Sequence, residues 1–201
     1  MPKNIYSKGA QSKAVVALIL LFLVGCVSDS RMPNVPESKA DFSPKPMEAV
    51  VVFMRPSRVN QYITAVLYDI TDRTPEFIGI LAAWKKIAHP VTPGAHRFMV
   101  VSGGGVADFV DAEVSKGKSY FVRVTPSAWS PRFFLEPYDK TQVSTGGFSE
   151  DLNDCKWVEN TPASRQWSVD NMPSVLSKME HSLNAWLQKP DRPTLRPEDG
   201  R

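Results

Sequence analysis

Ala49-Val50-Val51-Val52-Phe53-Met54 decides the fold class of this 201-residue chain. Six apolar residues in a row, three of them β-branched valines, are too few for a buried helix and suit a strand. The run does not alternate with polar residues, so both faces of that strand must be covered. A central strand with cover on two sides implies a layered β fold.

Working outward, the chain continues as short strands separated by turn chemistry. Tyr62, Thr64, Val66 and Tyr68 alternate with Ile63, Ala65, Leu67 and Asp69, predicting a strand over 62–70. Thr71-Asp72-Arg73-Thr74-Pro75 reads as a turn before a strand from Phe77 to Leu81. Pro93-Gly94 suits a type II turn, with proline fixing φ and glycine accepting φ > 0. Strands are then expected over 96–101, 106–114, 120–124 and 133–137, with Gly103-Gly104-Gly105 as a hairpin loop. Seven or so short strands with a turn every dozen residues predict a mostly β fold, a small antiparallel β-sandwich.

The tail has another period. Thr161 can cap a helix with Pro162 at its first position. Trp167, Val175, Leu176, Met179, Leu183, Trp186 and Leu187 recur at helical spacing, opposite Lys178, Glu180, Ser182 and Gln188. Pro173 interrupts the pattern and predicts a kink or two helices meeting there. The expected packing is this C-terminal α-helix on the sandwich, one helix face covering a sheet. A stripe held out for a partner protein is the alternative.

The N-terminus precedes all of this with a different chemistry. Lys3, Lys8 and Lys13 lead into an apolar run, Ala14 to Val24, that is too short to span a bilayer and reads as a secretory signal. The run ends in Leu23-Val24-Gly25-Cys26. That tetrapeptide resembles a bacterial lipobox, in which the cysteine takes a diacylglycerol thioether, the signal is cut before it, and the new amine is acylated, with palmitate the expected chain. The resemblance implies lipidation of Cys26; the plainer alternative is an ordinary signal with an incidental cysteine. Val27 and Ser28, with no aspartate directly after the cysteine, resemble lipoproteins sorted to the outer membrane, which implies a domain facing the periplasm. The proline-rich stretch Val27–Met47 reads as a disordered tether, reaching roughly 25 Å as coil or about 65 Å as polyproline II. The expected organisation is therefore a signal peptide (1–25), lipidated cysteine and tether (26–47), β-sandwich (48–140), connecting loop and helical segment (141–190) and polar tail (191–201).

Charge and cysteine content exclude several function classes. The chain carries 24 basic and 21 acidic residues, a formal +3. Losing the three lysines of residues 1–25 leaves 21 of each sign, so no net-basic case for nucleic-acid binding survives. With Cys26 lipidated, Cys155 is the remaining cysteine; it reads as a buried, inert thiol, since no activating base lies near it in sequence.

Val-Val-Phe-Met-Arg-Pro (51–56), Gly79-Ile80-Leu81, Pro93-Gly94-Ala95-His96, Lys116 to Val124 and Leu135-Glu136-Pro137 together resemble a bacterial lipoprotein family whose domain is catalogued only as a domain of unknown function. The resemblance spans about Val50 to Pro137. It implies a β-sandwich in the envelope and brings no catalytic residues.

The remaining constellations point away from catalysis and metals. His89 and His96 are seven apart around a turn, and His181 is on the helix, which matches no metal-ligand spacing; His96 is expected to bond a loop backbone group. The triple glycine runs into strand sequence rather than a helix start, unlike a phosphate cradle. Asp111 and Glu113 share a strand face opposite Asp108 and read as a solvated sheet surface. Asp151 to Asp154 lacks the glycine and distal glutamate of a calcium loop. No cofactor is expected. The surface candidates are Phe121, Arg123, Trp129 and Arg132, beside Arg55 and Phe133. Phe121 and Arg123 face out from a strand whose Tyr120, Val122 and Val124 face in, and aromatics beside arginine suit glycans, peptide strands or lipid headgroups. These residues can equally be covered by the C-terminal helix, and that cover is the expected arrangement, with a binding surface as the alternative. The expected role is a non-catalytic binding or structural module of the envelope, with the membrane and an envelope protein or glycan as partners. An envelope hydrolase assembled from distant residues, or a docking subunit of an envelope complex, is the alternative.

Overall fold

The computed structural model describes residues 30–39 and 42–201. Two five-stranded sheets face each other across the main core. One sheet has the order β8 (Phe133–Pro137), β7 (Ser119–Pro126), β1 (Ala49–Arg55), β4 (Lys85–Val91), β9 (Lys156–Trp157). The other has the order β10 (Thr194–Leu195), β6 (Ala107–Val114), β5 (Gly94–Val101), β2 (Ala65–Asp69), β3 (Glu76–Leu81). Helix α1 (Gly146–Asp154) covers the outer face of the first sheet, and α2 (Pro162–Leu187) the outer face of the second. The fold is thus mostly β with a C-terminal helix packed on it, as the patterning predicts.

β1 shows why its sequence is unbroken. Ala49, Val51 and Phe53 point into the core between the sheets, and Val50, Val52 and Met54 point under α1 with Phe121, Phe148 and Trp157. Both faces of the strand are buried, so neither tolerates a polar residue. The sheets are mixed rather than antiparallel: β1 pairs parallel with β7, β9 with β4 and β10 with β6. Local sequence sets which residues are strand but not which strand lies beside it. Gly94, at φ 127°, takes the positive-φ place of the expected turn, and Thr161 caps α2 with Pro162 at its first position.

Several expectations change. The strand expected over 62–70 begins only at Ala65, because the preceding residues are drawn into a loop. β4 is unmarked in the sequence, since lysines and a proline interrupt it. α2 runs continuously through Pro173, which sits on its exposed face. Two segments expected to be loose are packed. In the supposed tether, Met32 is 3% exposed, Asn34 bridges to Val158, and the Phe42 ring lies 4.1 Å from that of Trp157. In the supposed polar tail, Leu195 is fully buried and Asp199 nearly so. Isolated apolar residues among prolines and charges leave no periodic signal, yet one buried side chain is enough to fix a segment.

Candidate functional site

Three loops meet at one end of the sandwich: 56–64 between β1 and β2, 102–106 between β5 and β6, and 127–132 between β7 and β8. A fully buried guanidinium organises the first. Arg55, the last residue of β1, donates from Nη1 to the carbonyls of Ile63 (2.5 Å) and Leu81 (3.3 Å), and from Nη2 to those of Val59 (3.0 Å) and Asn60 (2.8 Å). Its plane lies over the Phe133 ring at 4.6 Å, and burial pushes its pKa down to about 10, so it stays charged at neutral pH. Nε has no partner. Charged hydrogen bonds to carbonyls are stronger than neutral ones; three from this one side chain wrap the loop around it, and the fourth ties it to the end of β3.

Asn60, at a positive φ of 51°, then donates from Nδ2 to the carbonyls of Ser127 (2.5 Å) and Ser130 (3.2 Å). The Ser102 hydroxyl donates to the Pro131 carbonyl, tying in the third loop. These bonds use the loop backbones and leave apolar side chains outside. Trp129 is 96% exposed, Tyr62 77% and Val59 46%. The three loops hold two arginines, Arg58 and Arg132, both exposed, and no carboxylate. A groove of about 350 Å³ continues from Tyr62, Ile63 and Thr64 past Ser102 to Trp167 and Lys178 of α2. The result is a rigidly backed apolar surface with positive charge beside it.

The sequence candidates fare unequally. Trp129 and Arg132 belong to this end, with Arg132 lying over the Phe134 ring at 5.7 Å. Phe121 does not: it is 4% exposed and packs edge-on against Phe148 of α1, with ring centroids 4.9 Å apart. Its outward direction is as expected, but α1 rather than the C-terminal helix covers it. Arg123, on the same face, donates from Nε to the Tyr138 hydroxyl (2.8 Å) and pairs with Asp151 of α1. It lines a cavity of about 180 Å³ with Tyr138, Gln142, Thr145 and Phe148. Arg55 was visible as a surface candidate and is instead buried. No sequence signal marks Tyr62 and Val59 as exposed: Tyr62 heads an alternation that mimics a strand, and Val59 is an isolated apolar residue before it. Cys26 lies outside the described residues.

The opposite end of the sandwich holds a polar cluster. Asp69 Oδ2 lies 3.5 Å from His89 Nε2 and 3.4 Å from His96 Nδ1. Asp69 Oδ1 accepts from the Thr71 N–H (2.8 Å) and hydroxyl (2.5 Å). Burial opposes ionisation of Asp69, but these bonds outweigh it and hold the carboxyl well below the usual carboxylate range. His96 Nε2 lies 2.8 Å from the Thr92 carbonyl, which can only accept, so Nε2 carries a proton. The backbone bond expected of His96 is present. A cavity of about 350 Å³ adjoins the cluster, lined also by Asp72 and Glu76. Thr71 Oγ1 also lies 3.2 Å from His96 Nδ1, but its one proton goes to Asp69 Oδ1, so toward the ring it offers a lone pair rather than a proton to abstract. Among the described residues no set of three or more His, Cys, Asp or Glu is placed to hold a metal ion.

Two further groups are structural. Cys155 is buried beneath α1, and burial pushes its thiol up to about 12. Asp108 is not solvated as expected: it points between the sheets, and Oδ2 accepts the Leu135 N–H of β8 at 3.0 Å. Asp111 instead meets Arg97 at 2.7 Å and Arg192 at 3.2 Å, which leaves Glu113 as the exposed carboxylate of the three. No protein-family model and no curated protein matches this chain.

Proposed function

We propose that this chain is a lipoprotein of the bacterial envelope, anchored through Cys26 in the outer membrane with its domain facing the periplasm, and that it acts as a non-catalytic binding or structural module. The observation that carries the reading is Leu23-Val24-Gly25-Cys26 closing an apolar run that follows three lysines. A diacylglycerol thioether with a third acyl chain supplies more than the two anchoring signals that stable attachment needs. Support for a binding role comes from the knitted loop end, whose polar backbone is satisfied internally and whose aromatic side chains are presented outward. Support for a non-catalytic role comes from the commitments of the titratable groups: Asp69, Thr71 and His96 bond one another, and the Cys155 thiol is buried.

The Asp69–His89–His96 cavity, with the Thr71 hydroxyl 3.2 Å from His96 Nδ1, favours an envelope hydrolase as the second reading, and the commitment of the Thr71 proton to Asp69 weighs against it. The docking-subunit alternative loses its handle, because the apolar stripe of α2 is used against the second sheet.

The anchor is tested with Cys26→Ala in the native host. The variant should take up no lipid label and accumulate as unprocessed precursor. Processed, membrane-held protein in that variant would refute the lipobox.

A further inference from the structure

The described domain holds the chain five residues after Cys26, beside the aromatic loop end. The domain grips its N-terminal segment from Arg31 onward. The Thr161 hydroxyl donates to the Arg31 carbonyl at 2.8 Å, the Arg31 guanidinium lies 5.0 Å over the Trp167 ring, and Met32 is buried. Cys26 precedes Arg31 by five residues, which span at most about 18 Å even when fully extended. Acyl chains on Cys26 therefore cannot stand off from the Arg31–Trp167 contact by the length expected of a 21-residue tether. Trp167 lines the same groove as Tyr62, Ile63 and Thr64, so the short leash ends beside the loop surface.

We propose, resting on the lipid-anchor reading, that the Val59–Tyr62–Trp129 surface with Arg58 and Arg132 docks on the headgroup layer of the membrane that carries the anchor. The domain then lies against its bilayer. The chemistry fits that occupant. Tryptophan and tyrosine favour the membrane–water interface, where a ring can sit among acyl chains with its polar edge wet. The loops carry two exposed arginines and no carboxylate, a local excess of positive charge that is drawn to anionic lipid. Backbone carbonyls and amides that would be costly to dehydrate are already bonded across the three loops. A surface this small would bind a bilayer weakly alone, but a leash of about 18 Å keeps it at a high effective concentration over the lipid.

The test uses the processed, lipidated protein extracted from membranes and reconstituted in vesicles of phosphatidylethanolamine and phosphatidylglycerol whose acyl chains carry bromine near the headgroup. Of the five tryptophans, Trp129 is the one that lies exposed. Bromolipid should quench the emission, and Trp129→Phe should remove most of that quenching while leaving the melting temperature unchanged. Val59→Asp with Tyr62→Asp should keep the protein on the vesicles through its acyl chains and leave Trp129 unquenched. Omitting phosphatidylglycerol should weaken the quenching at low salt. A vesicle-bound Trp129 that is unquenched and open to aqueous iodide overturns the docking and leaves the surface to a glycan or protein. Mass analysis of the N-terminal peptide reads the anchor separately. Lipidated protein without quenching refutes the docking alone, whereas quenching of a chain with no lipid on Cys26 upholds the docking and refutes the anchor.

Discussion

His96 sits among three oxygen atoms, and their geometry favours its charged form. The Thr92 carbonyl takes the Nε2 proton, while Asp69 Oδ2 faces Nδ1 at 3.4 Å. With the Thr71 proton given to Asp69 Oδ1, Thr71 Oγ1 at 3.2 Å and Asp69 Oδ2 both turn lone pairs toward Nδ1, which a protonated ring satisfies. The Asp69 bond raises the His96 pKa above its ordinary 6.5, opposed by burial and reinforced by the Thr92 carbonyl and by the charges of Asp69 and Glu113. His89 and the cavity carboxylates Asp72 and Glu76 face the same cluster. A pKa raised on folding contributes stability that is complete below the unfolded value and disappears as pH rises through the folded one. The melting temperature of the wild type relative to His96→Gln should therefore be greatest below about pH 6.5 and decline above it. A difference that does not change with pH, or that grows with rising pH, would contradict this account.

At the scale of elements, α2 distinguishes residues that share one periodic stripe. Val175 and Trp186 are nearly inaccessible and Met179 is 7% exposed, yet Leu176 is 36% exposed. Ser164 and Ser168 take buried positions that hydrophobicity would not assign to them, Ser168 placing its hydroxyl 3.3 Å from that of Tyr68 on β2. A helix lying across a twisted sheet meets it along a line, so a stripe one side chain wider than that line leaves its margin in water. Met179→Asp buries an unpaired charge and should lower the melting temperature by about 10 °C or more. Leu176→Asp should stay within about 2 °C of the wild type. Equal effects from the two would show that the helix is rotated from its described position.

Across the whole molecule, both ends of the described chain close the layers. Thr194-Leu195 adds a parallel strand to β6, and Leu195 is fully buried. Lys118 Nζ donates to the Pro197 carbonyl at 2.8 Å, and Ser119 and Arg201 exchange backbone bonds at 2.8 and 3.1 Å. Gly200 lies so close to Tyr120 that a Cβ there would sit 2.6 Å from the ring, and the Arg201 guanidinium covers Phe121 and Phe148 at 4.8 and 4.9 Å. The segment joins one sheet to the other. Ending the chain after Pro193 removes at least the Leu195 contribution, about 2 kcal/mol or more, and should lower the melting temperature by about 4 °C or more. An unchanged melting temperature would show the segment to be passive.

The apolar run 49–54, the turn at Pro93-Gly94, the inward set Tyr120, Val122 and Val124, and the Thr161–Pro162 start of α2 are all determined locally. Each depends on side-chain period, φ preference or a cap, and those are properties of a few consecutive residues. Tertiary structure decided the rest. Sheet order and the three parallel pairings join residues far apart in sequence. The burial of Arg55 depends on four carbonyls from two separate segments, and that of Phe121 on α1, a helix whose sequence gives little apolar signal. The Asp69–His96 cluster forms because β2 and β5 pair antiparallel, setting Asp69 beside Phe98 and near the His96 ring. The exposed aromatic end exists because loops from three strand pairs bond one another's backbones and turn their side chains outward. None of these follows from a period, because each is a contact that only the closed sandwich brings within reach.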